Sequence, residues 1–422
     1  MGSVMPFNSK NPVSKWWVFA LLYAAWCLSF LDRSAMNMAA PVIVGDLHIS
    51  PARQGMVLGI FYLGYSFMQI PGGWMSDRYG PKWIVIVALV VWSVFTMMTG
   101  LTWSFLSLIG VRILFGLGEG IFPGASVKSI YQYFVSKERG STTAFLMSSN
   151  FVGSMIAPFI IIPLIYYMGW RALFVVMSGV GMLLAAVYAL SVPARVKSSD
   201  TAVGVPVNWH TIATLFRLRE TWRLFGIFFC ISLVNKGLDT WMPSYLLREC
   251  GISLKSAGFL LSAPYLSAGI ATALGGWVLM RYFRDRERMF MNVNIMLLCL
   301  ALGGMYCAST VNQVIVCEVL VYFFKSFVFS TIMFLPSRTM PPVFIGLGIS
   351  IVNFGGQTAG FVSAPLIGVI LGFTKSYSIV FLCLVGAAVG AMVINMAYGR
   401  LALYPARGED RQPRGSNTFP IT

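Results

Sequence analysis

Twelve stretches of about twenty or more mostly apolar residues follow one another along this chain, and few charges interrupt them. A bilayer core about 30 Å thick is crossed by a helix of roughly 20 apolar residues. Inside hydrocarbon each backbone N–H and C=O must find its partner within the segment, so such stretches are read as helices. Spans are predicted over 16–45, 54–76, 82–103, 105–133, 140–168, 171–192, 222–247, 256–281, 289–308, 311–336, 345–372 and 376–399. The predicted fold class is an all-α membrane protein with twelve transmembrane helices.

Composition excludes the main alternatives. Of 422 residues, 57% are hydrophobic and only 10% charged, against about 25% charged in soluble chains. Too little polar surface exists to cover a water-facing enzyme or a disordered regulator. Seven Cys without C-x-x-C spacing and two His, His48 and His210, offer no zinc, iron–sulfur or disulfide framework, so no metal and no cofactor is expected. The two His fall in predicted loops and receive no role. The net charge of +16 is read as loop charge beside a bilayer, with no nucleic-acid partner. Lys10 and Lys15 precede the first span, which lacks a small-residue cleavage site and is expected to stay in the mature protein.

Lys and Arg fix an expected orientation. With the N-terminus inside, twenty fall in cytoplasmic segments and five in outer loops, which places both termini in the cytoplasm of a multi-pass protein of the cell inner (plasma) membrane. The longest polar stretch divides the chain into an N-terminal six-helix bundle (1–192), a cytoplasmic linker (193–221), a C-terminal six-helix bundle (222–399) and a cytoplasmic tail (400–422).

The halves repeat. Gly72-Gly73-Trp74 recurs as Gly275-Gly276-Trp277, Asn150-Phe151 as Asn353-Phe354, and Asp32-Arg33 as Asn235-Lys236, each 203 residues on. Three matches at one shift predict two pseudo-symmetric bundles around a central cavity. Parallel repeats of this kind put a solute site near the membrane midplane.

Charges inside spans mark candidate chemistry, because each costs about 2.5–3.5 kcal/mol at that depth. Asp32 and Arg33 are neighbours in the first span and point roughly 100° apart, so they face different partners. Arg112 and Glu119 are seven residues apart in the fourth span, two turns along one face. Glu119 in an apolar wall is a candidate proton carrier, and Arg112 a counter-charge for Asp32 or Glu119. A static, helix-locking network is the bland alternative.

The loop Gly72 to Lys82, with Asp77 and Arg78, resembles the G-x-x-x-D-R-x-G-R-K loop of the major facilitator superfamily, with Pro81 in place of one basic residue. Asp77 and Arg78 are its gating candidates. The corresponding loop from Arg281 to Arg288 reads as a charge cluster that anchors the chain. Phe30-Leu31-Asp32-Arg33-Ser34-Ala35-Met36-Asn37, Arg112 to Gly120, Lys137-Glu138-Arg139-Gly140 and Asn353 to Phe361 are similar to the anion:cation symporter branch, which holds sugar-acid transporters and sialin.

That resemblance implies proton-coupled uptake of a small organic anion, a sugar acid or related carboxylate. It implies that Arg33 grips a substrate carboxylate and that Asp32 and Glu119 carry protons with Arg112 as switching partner. Tyr65 and Asn353 fall where the branch contacts substrate. Phe30 stands where the branch often has Tyr, and Asn150 where some members carry Gln, so the substrate stays open.

Several further residues remain two-sided. Tyr62, Tyr65, Gln69, Asn150, Ser154, Asn353 and Gln357 can bind a polar ligand or bond helix to helix. Trp241 can cap the cavity or sit at the membrane interface. Lys236 and Lys325 can meet a second anionic group, or pair with Asp239 and Glu318. Lys128 can simply reach for the interface. An organophosphate/phosphate antiporter is the alternative, because Trp241 to Leu246 and a basic residue in spans 1 and 7 resemble glycerol phosphate transporters. No motif brings a nucleophile, base and orienter together, so no enzyme is expected. The expected partners are the anion, protons and lipid, with the protein a monomer.

Overall fold

The computed structural model describes residues 14–193, 219–340 and 345–397. Most of the expected linker and all of the expected tail lie outside them, as does His210. Among the described residues thirteen α-helices run in chain order: α1 Lys15–Asp46, α2 Pro51–Tyr79, α3 Pro81–Gly100, α4 Phe105–Gly120, α5 Phe122–Tyr133, α6 Ser136–Ser191, α7 Arg219–Ser244, α8 Leu254–Tyr282, α9 Glu287–Cys307, α10 Val311–Phe334, α11 Pro336–Thr339, α12 Ile345–Thr374 and α13 Tyr377–Ala397. A short π-helical turn, Tyr245–Glu249, follows α7 after Pro243.

Helix starts follow local chemistry. Ser14, Ser50 and Ser253 accept backbone N–H groups at the starts of α1, α2 and α8. Ser104 with Ser107, and Thr310 with Gln313, form reciprocal caps on α4 and α10. The predicted fourth span is broken near Ile121, where Pro123 withholds a backbone donor, giving α4 and α5.

The predicted fifth and sixth spans are instead one run of 56 residues. A straight helix of that length would reach about 84 Å, far beyond one bilayer crossing. Gly169 turns it back, with φ 79° and ψ 164°, a backbone region that glycine enters without steric cost. Beside that turn, Trp170 Nε1 and Arg171 both donate to Asp46 Oδ2, at 3.2 and 2.5 Å, which ties the start of the second arm of α6 to the end of α1.

Among the described residues, nine helical stretches are long and apolar enough to cross a membrane. The long helices outside that set are α2 and α7. They carry Gln54, Tyr62, Tyr65 and Gln69, or Asn235, Lys236 and Asp239, and of these Tyr62, Asn235, Lys236 and Asp239 line the interior.

Helix packing obeys the repeat shift. Within the first half α1 packs on α6, α2 on α4 and α3 on α6; within the second, α7 packs on α12, α8 on α10 and α9 on α13. The halves meet through α2 with α12, α6 with α8 and α1 with α7. Exchanging the halves maps the first two contacts onto each other and the third onto itself.

The seam is closed where α1 ends. Gln54 Nε2 donates to Ser244 Oγ at 2.8 Å, and Arg248 donates to the Pro41 carbonyl at 2.7 Å. Gly59 lies so close to Pro365 that a Cβ there would sit 2.6 Å from its Cδ. Where α1 begins, the charges are satisfied within each half: Lys15 with Glu138, and Arg223 with Glu220 and Asn395.

Candidate functional site

Between the halves lies a cavity of about 80 Å³. Phe30, Arg33, Ser34 and Asn37 reach it from α1, Tyr62 from α2, and Asn150, Phe151 and Ser154 from α6. The second half supplies Asn235, Lys236 and Asp239 from α7, Tyr265 and Ala268 from α8, and Lys325 from α10. Three cationic side chains therefore face one acid across a wall of hydroxyls and amides. Such a chamber suits a hydroxylated solute with net negative charge.

In the first half Arg33 Nε donates to Glu119 Oε1 at 2.8 Å, and Ser29 Oγ donates to the same oxygen. The guanidinium is stacked among Phe30, Tyr65 and Phe61, with ring centroids 4.9, 4.5 and 5.1 Å away. That aromatic cage fixes the fork of Arg33 and presents it to the chamber. Its Nη2 has no partner among the described residues, and neither does Glu119 Oε2. Arg33 thus belongs to the chamber wall and to the acid behind it.

Asp32 and Arg112 lie deeper. Asp32 is buried, and its Oδ1 has no partner among the described residues. Arg112 is sandwiched against Phe115 and Phe61, 4.8 and 5.3 Å from the ring centroids, within electrostatic reach of Glu119 and Asp32. Arg33, rather than Arg112, makes the close pair with Glu119. The seven-residue spacing sets Arg112 and Glu119 about 10 Å apart along their helix axis, whereas α1 brings Arg33 in from the side.

The second half is built around Asp239. Its Oδ1 accepts from the Tyr265 and Tyr322 hydroxyls at 3.0 and 2.5 Å, and its Oδ2 accepts from Asn235 Nδ2 at 2.9 Å. Lys236 and Lys325 make no ion pair among the described residues. Their ammonium groups sit over the Tyr62 and Tyr322 rings, 5.0 and 3.8 Å from the centroids. The expected alternatives, Lys236 with Asp239 and Lys325 with Glu318, are not formed.

The remaining candidates divide. Asn150 and Ser154 line the chamber, and so does Tyr62. Tyr65 forms part of the cage behind Arg33. Trp241 is buried, and its indole donates to the Ala364 carbonyl at 3.2 Å, tying α7 to α12. Asn353 and Gln357 sit on α12 outside the chamber lining, and Gln357 Oε1 lacks a partner among the described residues.

Asp77 pairs with Lys128 of α5, while Arg78 lies over Trp74 and Tyr79. The corresponding second-half loop is also clamped: Arg338 of α11 donates to Asp285 at 2.6 Å and to Glu287. The bond to Asp285 is the main reason the Arg338 guanidinium is held above its ordinary pKa.

Sequence reasoning missed the Asp239 network. The four-residue spacing of Asn235 and Asp239 is a usable signal, but both phenols arrive from other helices. Glu119 and Tyr322 also stand 203 residues apart, so the acid of one half is replaced by a hydroxyl in the other.

The Major Facilitator Superfamily profile matches residues 22–364. A hexuronate transporter of Bacillus subtilis is 28% identical over 411 residues, covering 94% of this chain and 97% of that protein. A probable galactarate/D-glucarate transporter of Escherichia coli is 25% identical, covering 95% and 97%. A D-galactonate transporter of Escherichia coli is 25% identical, covering 94% and 98%. Among solved structures, a bacterial homologue of the human lysosomal transporter Spinster, inward-facing and occupied, superposes with TM-score 0.75 at 18% identity, covering 92% of this chain and 94% of that one. That likeness is one of fold.

Proposed function

The chain belongs to the Major Facilitator Superfamily, and on that premise we propose that it is a proton-coupled symporter of an organic anion, a sugar acid or related carboxylate. Twelve spans form two six-helix bundles, 1–192 and 222–399, that rock about the chamber in a plasma membrane, with both termini cytoplasmic. The closed side of the seam is then the outer side. The hexuronate, glucarate and galactonate relatives support the solute class.

The observation that carries this reading is the double position of Arg33, in the chamber wall and on Glu119. When Glu119 takes a proton from the outside, its charge is lost and Arg33 is released to the chamber. A substrate carboxylate then binds the guanidinium as a charge-assisted pair. After the chamber opens inward, Glu119 loses its proton to the cytoplasm and recaptures Arg33, and the anion leaves. Asp32 and Arg112 adjust the same balance from behind. Protonation thereby shifts the population between two states. Lys236 and Lys325 meet a second anionic group, which makes dianions such as glucarate the preferred solutes.

The test is uptake of labelled D-glucuronate, D-galactonate and D-glucarate into proteoliposomes under an imposed pH gradient. Accumulation that collapses with the gradient is the expected result. Uptake indifferent to the gradient for every solute contradicts the reading. An organophosphate/phosphate antiporter is the second reading, favoured by the two lysines, which make no ion pair among the described residues. Asp32 and Glu119 weigh against it, since an exchanger needs no proton acids there. Uptake that requires phosphate preloaded inside the vesicles separates the two.

A further inference from the structure

Glu318 has no part in the cycle above. It lies on α10 with 3% of its surface exposed, and its Oε2 has no partner among the described residues. It lines a second, smaller pocket of about 10 Å³, room for about one water molecule. Ser34, Asn37, Asp239 and Tyr265 line this pocket and the central chamber alike, so the two adjoin. Met38, Met242 and Pro243 are among the other residues lining the smaller one, which extends towards the side where the seam is closed.

The groups around Glu318 come from every neighbouring helix. α7 brings Asp239 and Lys236, α8 brings Tyr265, and α10 itself brings Tyr322 and Lys325. α1 presents Ser34, Asn37 and Met38, which do not titrate. α9, packed against α10, carries no charged residue beyond Glu287 and Arg288 in its first turn. Asp239 is already satisfied by three donors, whereas Glu318 makes no ion pair among the described residues.

A carboxylate buried without a matching charge is costly, and a protonated carboxyl is far less so. Lys325, two turns along the same helix, is the cation that can match it. We infer that Glu318 is a further proton-carrying acid, located in the C-terminal half, loaded through the smaller pocket and counterbalanced by Lys325. On loading, Oε2 takes a proton from water entering that pocket. On unloading, the proton passes to water in the central chamber, and the carboxylate left behind attracts the Lys325 ammonium away from a bound anion. Each half then holds one acid–cation switch, Glu119 with Arg33 and Glu318 with Lys325. The role in transport rests on the proton-coupled reading above; the protonation itself does not.

The test is an infrared pH titration of the full chain in lipid nanodiscs without substrate. A protonated-carboxyl band that fades towards alkaline pH and is missing from E318Q is expected. In K325Q the band should persist to more alkaline pH, because a stabilising positive charge is gone. In D239N it should fade at more acidic pH, because a repelling negative charge is gone. A spectrum of E318Q identical to wild type overturns the inference. So does a titration that K325Q and D239N leave unmoved, a readout that holds even if E318Q does not fold. In D-glucarate uptake, E318Q should carry one proton fewer per solute, and an unchanged count overturns the transport role. If wild-type uptake carries no protons, the symport reading fails while the spectra still decide Glu318.

Discussion

Arg33 Nε donates to Glu119 Oε1 at 2.8 Å, joining α1 to α4 directly behind the chamber wall. The guanidinium cannot serve the acid and a solute carboxylate fully at once, so the two compete for it. In the proposed symport, that competition is what couples proton to anion.

Replacing Glu119 by Gln removes the competitor permanently. E119Q is expected to lose gradient-driven accumulation and to keep exchange of labelled for unlabelled solute. D32N is expected to behave likewise. Counterflow measured beside pH-driven uptake checks both, and full accumulation by the two variants contradicts the mechanism.

Arg33 is held by three rings as well as by Glu119. Lysine keeps the charge and loses both the planar stacking and the fork. R33K is therefore expected to weaken sugar-acid binding by roughly tenfold or more, read as loss of the ligand-induced rise in melting temperature.

Lys236 faces the chamber without an ion-pair partner among the described residues. A hydrogen bond to a charged group contributes about 1.5–3 kcal/mol. K236Q should weaken D-glucarate by roughly 10- to 100-fold and D-galactonate much less. Equal losses for both would remove Lys236 from recognition of the second anionic group.

At Gly59 a side chain has no room against Pro365. Overpacking of this kind costs about 1–3 kcal/mol, or roughly 5- to 150-fold in a population ratio. G59V should open the seam on that side. Faster maleimide labelling of Ser244→Cys, on a background with the seven native cysteines replaced, reads it directly.

Arg338 holds Glu287, of which only 2% is exposed. R338Q leaves that carboxylate without its counter-charge and should cost about 3 kcal/mol of stability. Thermal unfolding of R338Q against R338Q/E287Q checks it, since the double variant should recover part of the loss.

The helices were legible because bilayer thickness and backbone satisfaction act on each stretch separately. Their joints were less so. Gly169 replaces an expected loop with a turn inside continuous helix, and Pro123 splits a span that composition alone leaves whole. Arg33, Asn150 and Lys236 could be picked out because polar residues at that depth need a partner or a cavity. Spacing on one helix identified Arg112 with Glu119, yet the close contact to Glu119 comes from α1. The Asp239 network joins three helices, and no periodicity within one of them announces it. Trp241 could be read as a cap or as a membrane-interface residue, because its position near the end of a span fits both, and neither reading announces that its indole holds α7 to α12.

Asp46 gathers Trp170 and Arg171 at the bend of α6. Two rods, α1 and the second arm of α6, are therefore pinned together at one end. Movement that unseals this face has to lift them together, as a single stiff lever. The compliance of the machine must then reside in the contacts that α2 and α8 make with their opposite numbers.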